Sequence, residues 1–187
     1  MKKGKSFSDS QVAHLIFKVL APVMESPLKY RFFNPVKGLK LGGIQIGQKV
    51  LEVGCGTGFF TLPAARMLGS EGCIYAVDPH PLAIKQVRKL VLDAGLKNVR
   101  LIRADATRCG LSSGLIDLVL LYGVIPSPTL PMDRLLMEMH RLLKPKAQIA
   151  VWTAFPCWSP KILTKNGLFA YIGKEKGVYT FRRADGD

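Results

Sequence analysis

The feature that most constrains this chain is the run Glu52-Val53-Gly54-Cys55-Gly56-Thr57-Gly58, which follows the apolar pair Val50-Leu51 and precedes an apolar helical stretch. Three alternating glycines let the backbone turn sharply and bring it close to a ligand. The helix behind them opens with N–H groups that have no intrahelical partner. Strand, glycine turn and helix in that order predict a ligand site at the carboxyl edge of an open α/β sheet. The spacing is not that of a dinucleotide cradle: in a G-x-G-x-x-G register starting at Gly54 the last position falls on Phe59, and the third glycine is instead Gly58. Asp78 ends the next apolar run, twenty residues beyond Gly58. A carboxylate there can accept both hydroxyls of an adenosine ribose.

The rest of the chain alternates strand and helix patterns. Residues 50–53, 73–77, 99–102, 115–121 and 147–152 read as strands, and the nearly unbroken apolar run 115–121 suits one buried on both faces. Residues 59–68 read as a helix, a second opens at Pro81 and stops at Gly95, and a third opens at Pro131 and is ended by Pro145. Leu135, Leu136, Met139, Leu142 and Leu143 line the apolar face of the third. This order predicts an α/β fold, a Rossmann-like doubly wound sheet that is mostly parallel. Residues 168–172 and 178–181 flank Gly173-Lys174-Glu175-Lys176-Gly177 and predict an antiparallel C-terminal hairpin at the sheet edge. Ahead of the sheet, Ser8 and Gln11 have capping-box spacing, and Val12, Leu15, Ile16, Val19, Leu20 and Val23 follow a helical period. Tyr30-Arg31-Phe32-Phe33-Asn34-Pro35 reads as a loop or short helix. The expected division is a helical, basic cap over residues 1–45 and the α/β domain over 46–187.

Composition narrows the class. A chain of 187 residues with 48% hydrophobic content has the size and core of one domain. No apolar run approaches the roughly 18–20 residues of a membrane span, and His14 and Lys18 make residues 12–24 an amphipathic helix instead of a signal peptide. Cys55, Cys73, Cys109 and Cys157 form no C-x-x-C pair and have no histidine at zinc-site spacing, so no metal is expected and the thiols read as reduced in a cytoplasmic protein. The net charge of +14 sits on the flanks: residues 1–49 carry nine Lys/Arg against two acids and residues 144–187 eight against three. Such flanks suit an ordinary solvated surface, nucleic acid or an anionic lipid surface.

Residues 50–58 resemble motif I of the class I S-adenosylmethionine (SAM)-dependent methyltransferases, most closely the small-molecule group that includes the ubiquinone/menaquinone biosynthesis methyltransferases. Ala76-Val77-Asp78 is similar to that family's acid after the second strand, and Arg103-Ala104-Asp105-Ala106 to its motif II. Ile116-Asp117-Leu118-Val119-Leu120 resembles its fourth strand, and Arg141-Leu142-Leu143-Lys144-Pro145 the approach to its fifth. The resemblance covers residues 45 to 152 and implies SAM as cofactor, with S-adenosylhomocysteine as product. It implies that Glu52, Gly54 and Gly56 shape the methionine end of the cofactor site, within a binding loop that also holds Cys55, Thr57 and Gly58. It implies that Asp78 holds the ribose, with Pro79 near the adenine, and that Asp105 and Ala106 meet the adenine edge. Tyr122 and Gly123 would lie near the sulfonium, although the residue pattern also allows Tyr122 to pack in the core. The same pattern allows Asp78 to cap the helix at Pro81 and Asp105 to be a plain turn acid.

The reaction so implied is methyl transfer by direct in-line displacement to a small or hydrophobic acceptor. Alignment of the reacting atoms is the main catalytic demand. No general base is identifiable in the sequence: His14, His80 and His140 stand in no base-and-orienter pattern, and Cys55 reads as a small loop residue. Tyr122-Gly123-Val124-Ile125-Pro126 departs from the Asn/Asp-Pro-Pro-Tyr/Phe pattern of amino-methylating DNA and protein enzymes. The alternatives are an RNA or protein methyltransferase using the basic flanks, a non-catalytic SAM-binding partner subunit and, more distantly, a nicotinamide-dependent oxidoreductase.

Overall fold

A computed structural model describes residues 34–127, 130–155 and 157–185; the helical pattern over residues 12–24 and the Tyr30-Arg31-Phe32-Phe33 cluster lie outside the described residues. Asn34 accepts from the Lys37 N–H and Pro35 fills the first helical position, so that α1 (Pro35–Leu41) starts there. The chain then runs through β1 (Lys49–Val53), α2 (Thr61–Leu68), β2 (Cys73–Val77), α3 (Pro81–Asp93) and β3 (Val99–Ile102). After a 3-10 turn (Ala106–Arg108) come β4 (Ile116–Tyr122), α4 (Met132–Leu142), β5 (Leu143–Trp152), α5 (Lys161–Thr164), β6 (Phe169–Glu175) and β7 (Val178–Arg183).

The seven strands form one sheet in the order β3-β2-β1-β4-β5-β7-β6. The first five are parallel, and β7 inserts antiparallel between β5 and β6. Strand alternation sorts the side chains into two layers. Val50, Ile74, Leu118, Leu120 and Ala150 meet Leu39 of α1 and Ala64 and Leu68 of α2, and Ala76 meets Ile84, Val87 and Val91 of α3. On the other face Leu51, Val53, Val119, Leu121 and Val151 meet Leu135, Leu136 and Met139 of α4 and Leu163 of α5. Each fully buried Leu, Ile or Phe contributes about 1.5–3 kcal/mol by leaving water. Strand order reverses between β1 and β4, and the carboxyl-edge crevice at such a point is where open α/β sheets bind ligands.

Three of the boundaries that differ from the sequence reading have a local physical cause. β5 begins at Leu143, immediately after α4, and not at residue 147. Leu143 pairs with Ile116 and the ladder resumes at Gln148 opposite Leu118, so the intervening residues bulge. The bulge absorbs Pro145, which has no N–H to donate, and Lys146 at φ +61°. The helix read from residue 59 starts at Thr61, because Gly58, Phe59 and Phe60 belong to the turn that carries the glycine loop into it. The C-terminal hairpin is tighter than the five-residue link suggests. Gly173-Lys174-Glu175 belong to β6, and Lys176 and Gly177, both at positive φ, make a two-residue turn whose twist matches the flanking strands.

One contact ties α1 to the centre of the sheet. The buried Tyr122 hydroxyl donates to the Gly38 carbonyl at 2.8 Å. Gly42, the C-cap of α1, has an ordinary helical φ of −74°, so its requirement is space: a Cβ there would overlap the Tyr122 Oη and stand 3.0 Å from the Ala150 Cβ. Gly42→Ala is therefore expected to cost about 1–3 kcal/mol of stability. In the Tyr122→Phe background the penalty should be smaller, because the clashing oxygen is gone. Urea unfolding of both single variants and the double variant measures the coupling, and strictly additive penalties would refute it.

Candidate functional site

The parallel strands β3, β2, β1 and β4 end at the same edge of the sheet, and every site residue read from the sequence lies at the end of one of these strands or on the segment that leaves it. β1 ends at Val53, and the glycine loop turns over the end of β2: the Gly54 and Cys55 N–H groups donate to the Val77 carbonyl at 2.7 and 3.2 Å. Gly54, Gly56 and Gly58 have φ of +74°, +51° and +84°, a region side chains with a Cβ rarely enter. A Cβ on Gly54 would also come 2.9 Å from the Val124 Cγ2, so the loop passes tightly beneath the segment leaving β4.

Asp78, one residue past β2, is buried, and its carboxylate joins loop to helix. Oδ2 accepts from the Gly56 N–H at 3.0 Å and Oδ1 from the His80 N–H at 2.8 Å. Burial raises its pKa above the ordinary value, while the two N–H groups favour its ionised form. The cap of α3 is His80, not Asp78: the His80 Nδ1 accepts from the Leu82 N–H and Pro81 occupies the first helical position. Pro79 stays exposed between them.

Glu52 is 2% exposed, and its Oε2 accepts the Thr61 hydroxyl at 2.6 Å. Burial, helped by nearby Asp78 and opposed by the Thr61 bond, raises its pKa to about 8. Sequence reading missed Thr61. The signal available was physical: a glutamate inside an apolar strand needs a polar partner, and Thr61 opens the next helix. Thr57 and Cys55 are buried in the loop. Burial pushes the Cys55 thiol far up, which removes it as a nucleophile.

Past β3, the exposed Asp105 accepts the Thr107 N–H at 2.8 Å and caps the 3-10 turn, whose first residue, Ala106, is buried. Past β4, Gly123 has φ +72° and donates its N–H to the Trp152 carbonyl at 2.9 Å. The Tyr122 ring packs in the core, edge-on to Phe60 at 5.0 Å between centroids. Hydrogen bonds thus join the loop and Asp78 directly, whereas Asp105–Ala106 and Gly123 reach the same edge from the flanking strands.

The donor set suits SAM: glycines that bring backbone close, a buried acid one residue past β2, and a second buried acid at the end of β1. Comparison with known proteins agrees, since the family model described as methyltransferase domain matches residues 50–146, just over half of the chain. The chain belongs to the class I SAM-dependent methyltransferase family. The chain is 38% identical over 105 residues to an aklanonic acid methyltransferase of Streptomyces, covering 54% of this chain and 47% of that one. It is 31% identical over 159 residues to a ubiquinone/menaquinone biosynthesis C-methyltransferase of Azotobacter vinelandii, covering 79% of this chain and 61% of the relative. The chain thus spans about half to three-fifths of the length of these curated relatives. A SAM-dependent methyltransferase structure from Aquifex aeolicus shares the fold, with a TM-score of 0.75 and 23% identity over 90% of this chain and 96% of that one. Among the described residues no helix is long and apolar enough to cross a membrane.

Proposed function

We propose that the chain transfers a methyl group from SAM to a small, hydrophobic acceptor by direct in-line displacement. The observation that carries this reading is the Asp78 carboxylate bonded to the Gly56 N–H, which holds the ribose acid and the glycine loop as one unit at the β1/β4 switch point. When bound, SAM supplies an activated methyl on a sulfonium, so the displaced group is a neutral thioether. Asp78 would accept the ribose hydroxyls, and Asp105 and Ala106 would hold the adenine. The Gly54–Gly58 loop and Glu52 would shape the methionine end, and the Gly123 backbone would border the sulfonium. The work of these residues is orientation, which is worth roughly 7–11 kcal/mol of barrier when the reacting atoms are held in line.

The relatives named for aklanonic acid and for ubiquinone/menaquinone biosynthesis support a small acceptor. So do the apolar side chains at the site edge: Val124 beyond β4, and Phe155 beyond β5, which is 59% exposed. We assign acceptor selection to the segment before β1, residues 1–45, whose described part is held to β4 by Tyr122. No described histidine is assigned as base: His80 caps α3, and His140 Nε2 lies 2.8 Å from the Ala184 carbonyl.

Thermal unfolding with SAM, S-adenosylhomocysteine, NADH and NADPH tests the cofactor. Ligand at 100 times its Kd stabilises by about 2.7 kcal/mol, a Tm rise of about 5–10 °C for a chain this size. The expected result is a rise with SAM and S-adenosylhomocysteine alone. A rise with a nicotinamide cofactor and none with SAM would overturn the proposal.

A further inference from the structure

The 3-10 turn that carries Asp105 and Ala106 is held from behind by two residues of α4 that the proposed reaction does not use. The Glu138 Oε1 accepts the Cys109 N–H at 3.0 Å, directly after the turn. Cys109 in turn places its Sγ 3.3 Å from the Ala106 carbonyl. Arg141, one helical turn along, grips both carboxylate oxygens of Glu138: Nε to Oε2 and Nη2 to Oε1, each at 2.8 Å. The same guanidinium reaches forward, with Nη2 donating to the Leu111 carbonyl and Nη1 to the Ser113 hydroxyl, each at 2.9 Å. The Arg141 carbonyl accepts the Gly114 N–H at 3.0 Å. A forked, charge-assisted pair fixes direction as well as distance, and here it fixes the chain from residue 109 to 114. Glu138 is 9% exposed and Arg141 holds its carboxyl below the ordinary value, so the bridge stays ionised.

We infer that Glu138 and Arg141 are positioning residues for the adenine end of the cofactor site, acting through the Cys109 N–H on the Asp105–Ala106 turn. This rests on the SAM reading above. Neither residue touches the cofactor; they set where the Asp105 carboxylate and the Ala106 backbone stand. Their loss should therefore blur recognition of the base and leave the methionine end intact.

The test uses the full chain, with S-adenosylhomocysteine and its 6-oxo analogue, S-inosylhomocysteine, as calorimetric probes on wild type, Glu138→Gln and Arg141→Lys. Glu138→Gln keeps an oxygen for the Cys109 N–H but loses the ionic fork, and Arg141→Lys keeps the charge without the fork. Wild type is expected to prefer the adenine compound. Each variant should bind S-adenosylhomocysteine about tenfold more weakly and the inosine compound nearly unchanged, compressing the ratio between them. Equal weakening of both probes would assign the pair to general stability and overturn the inference, as would an unchanged ratio. Wild type that binds neither probe would overturn the SAM reading itself, and this inference with it. Circular dichroism and Tm of each variant, read beside the ratio, separate a folded protein with altered selectivity from one that has failed to fold.

Discussion

Asp78→Ala is expected to weaken S-adenosylhomocysteine binding by about 100- to 10,000-fold, because two hydrogen bonds to an ionised acceptor disappear together, and each is worth roughly 1.5–3 kcal/mol. The variant also strips the acceptor from the Gly56 and His80 N–H groups, so the unbound protein should lose about 1–3 kcal/mol of stability. Asp78→Asn separates these effects. The amide oxygen still accepts one N–H, and the expected affinity loss is nearer tenfold. Isothermal titration with urea unfolding on the same preparations reads both quantities. If Asp78→Ala binds S-adenosylhomocysteine as wild type does, Asp78 is a structural acid and the ribose assignment fails. If affinity falls while stability is unchanged, the bonds to Gly56 and His80 do not hold the loop.

Glu52→Gln is expected to change the pH dependence of stability more than any other substitution in the site. The folded value of about 8 lies above the ordinary value of 4.5. Between those two values the folded protein holds a proton that the unfolded chain has released. The resulting contribution is fully present below pH 4.5 and is lost as pH rises through 8. Glutamine keeps the acceptor for Thr61 and has nothing to ionise. The variant should therefore match wild type near pH 4.5 and exceed it near pH 8 by about 1–3 kcal/mol, a Tm gain of about 2–10 °C. A Tm series from pH 4.5 to 9 checks it, and parallel curves for the two proteins would sink the idea. A stabilised Glu52→Gln protein with weakened SAM binding would identify Glu52 as a group kept at the cost of stability for the sake of the site.

The two acids illustrate how far the sequence could be read. Asp78 was legible because a glycine loop and an acid at that spacing in strand–loop–helix–strand order is a local pattern. Its bonds to Gly56 and His80 were not, since they depend on how the loop crosses the end of β2. Glu52 was legible as a strand-end acid in a family motif, but its elevated pKa comes from burial between β1 and α2, which one strand cannot report. The residue pattern around Tyr122 allows both pocket and core. The ring's place against Phe60 and its bond to Gly38, 84 positions away, came from the packing of α1 on the sheet. In the sequence Glu138 and Arg141 have only the i, i+3 spacing of any helical ion pair, and their further partners Cys109, Ser113 and Leu111 lie 29, 28 and 30 positions upstream, before β4.

The sequence by itself determined the alternation of strands and helices, the doubly wound class, the glycine loop and the acid that follows it. These arise from periodicity, turn chemistry and residue spacing, all of which act over a few residues. Only the tertiary structure decided the β5 bulge at Pro145 and Lys146, the tight turn at Lys176-Gly177, the raised pKa of Glu52 and the clamp behind Asp105 and Ala106. Each depends on strand register, on burial or on hydrogen bonds between distant segments, and those quantities exist only once the sheet has assembled.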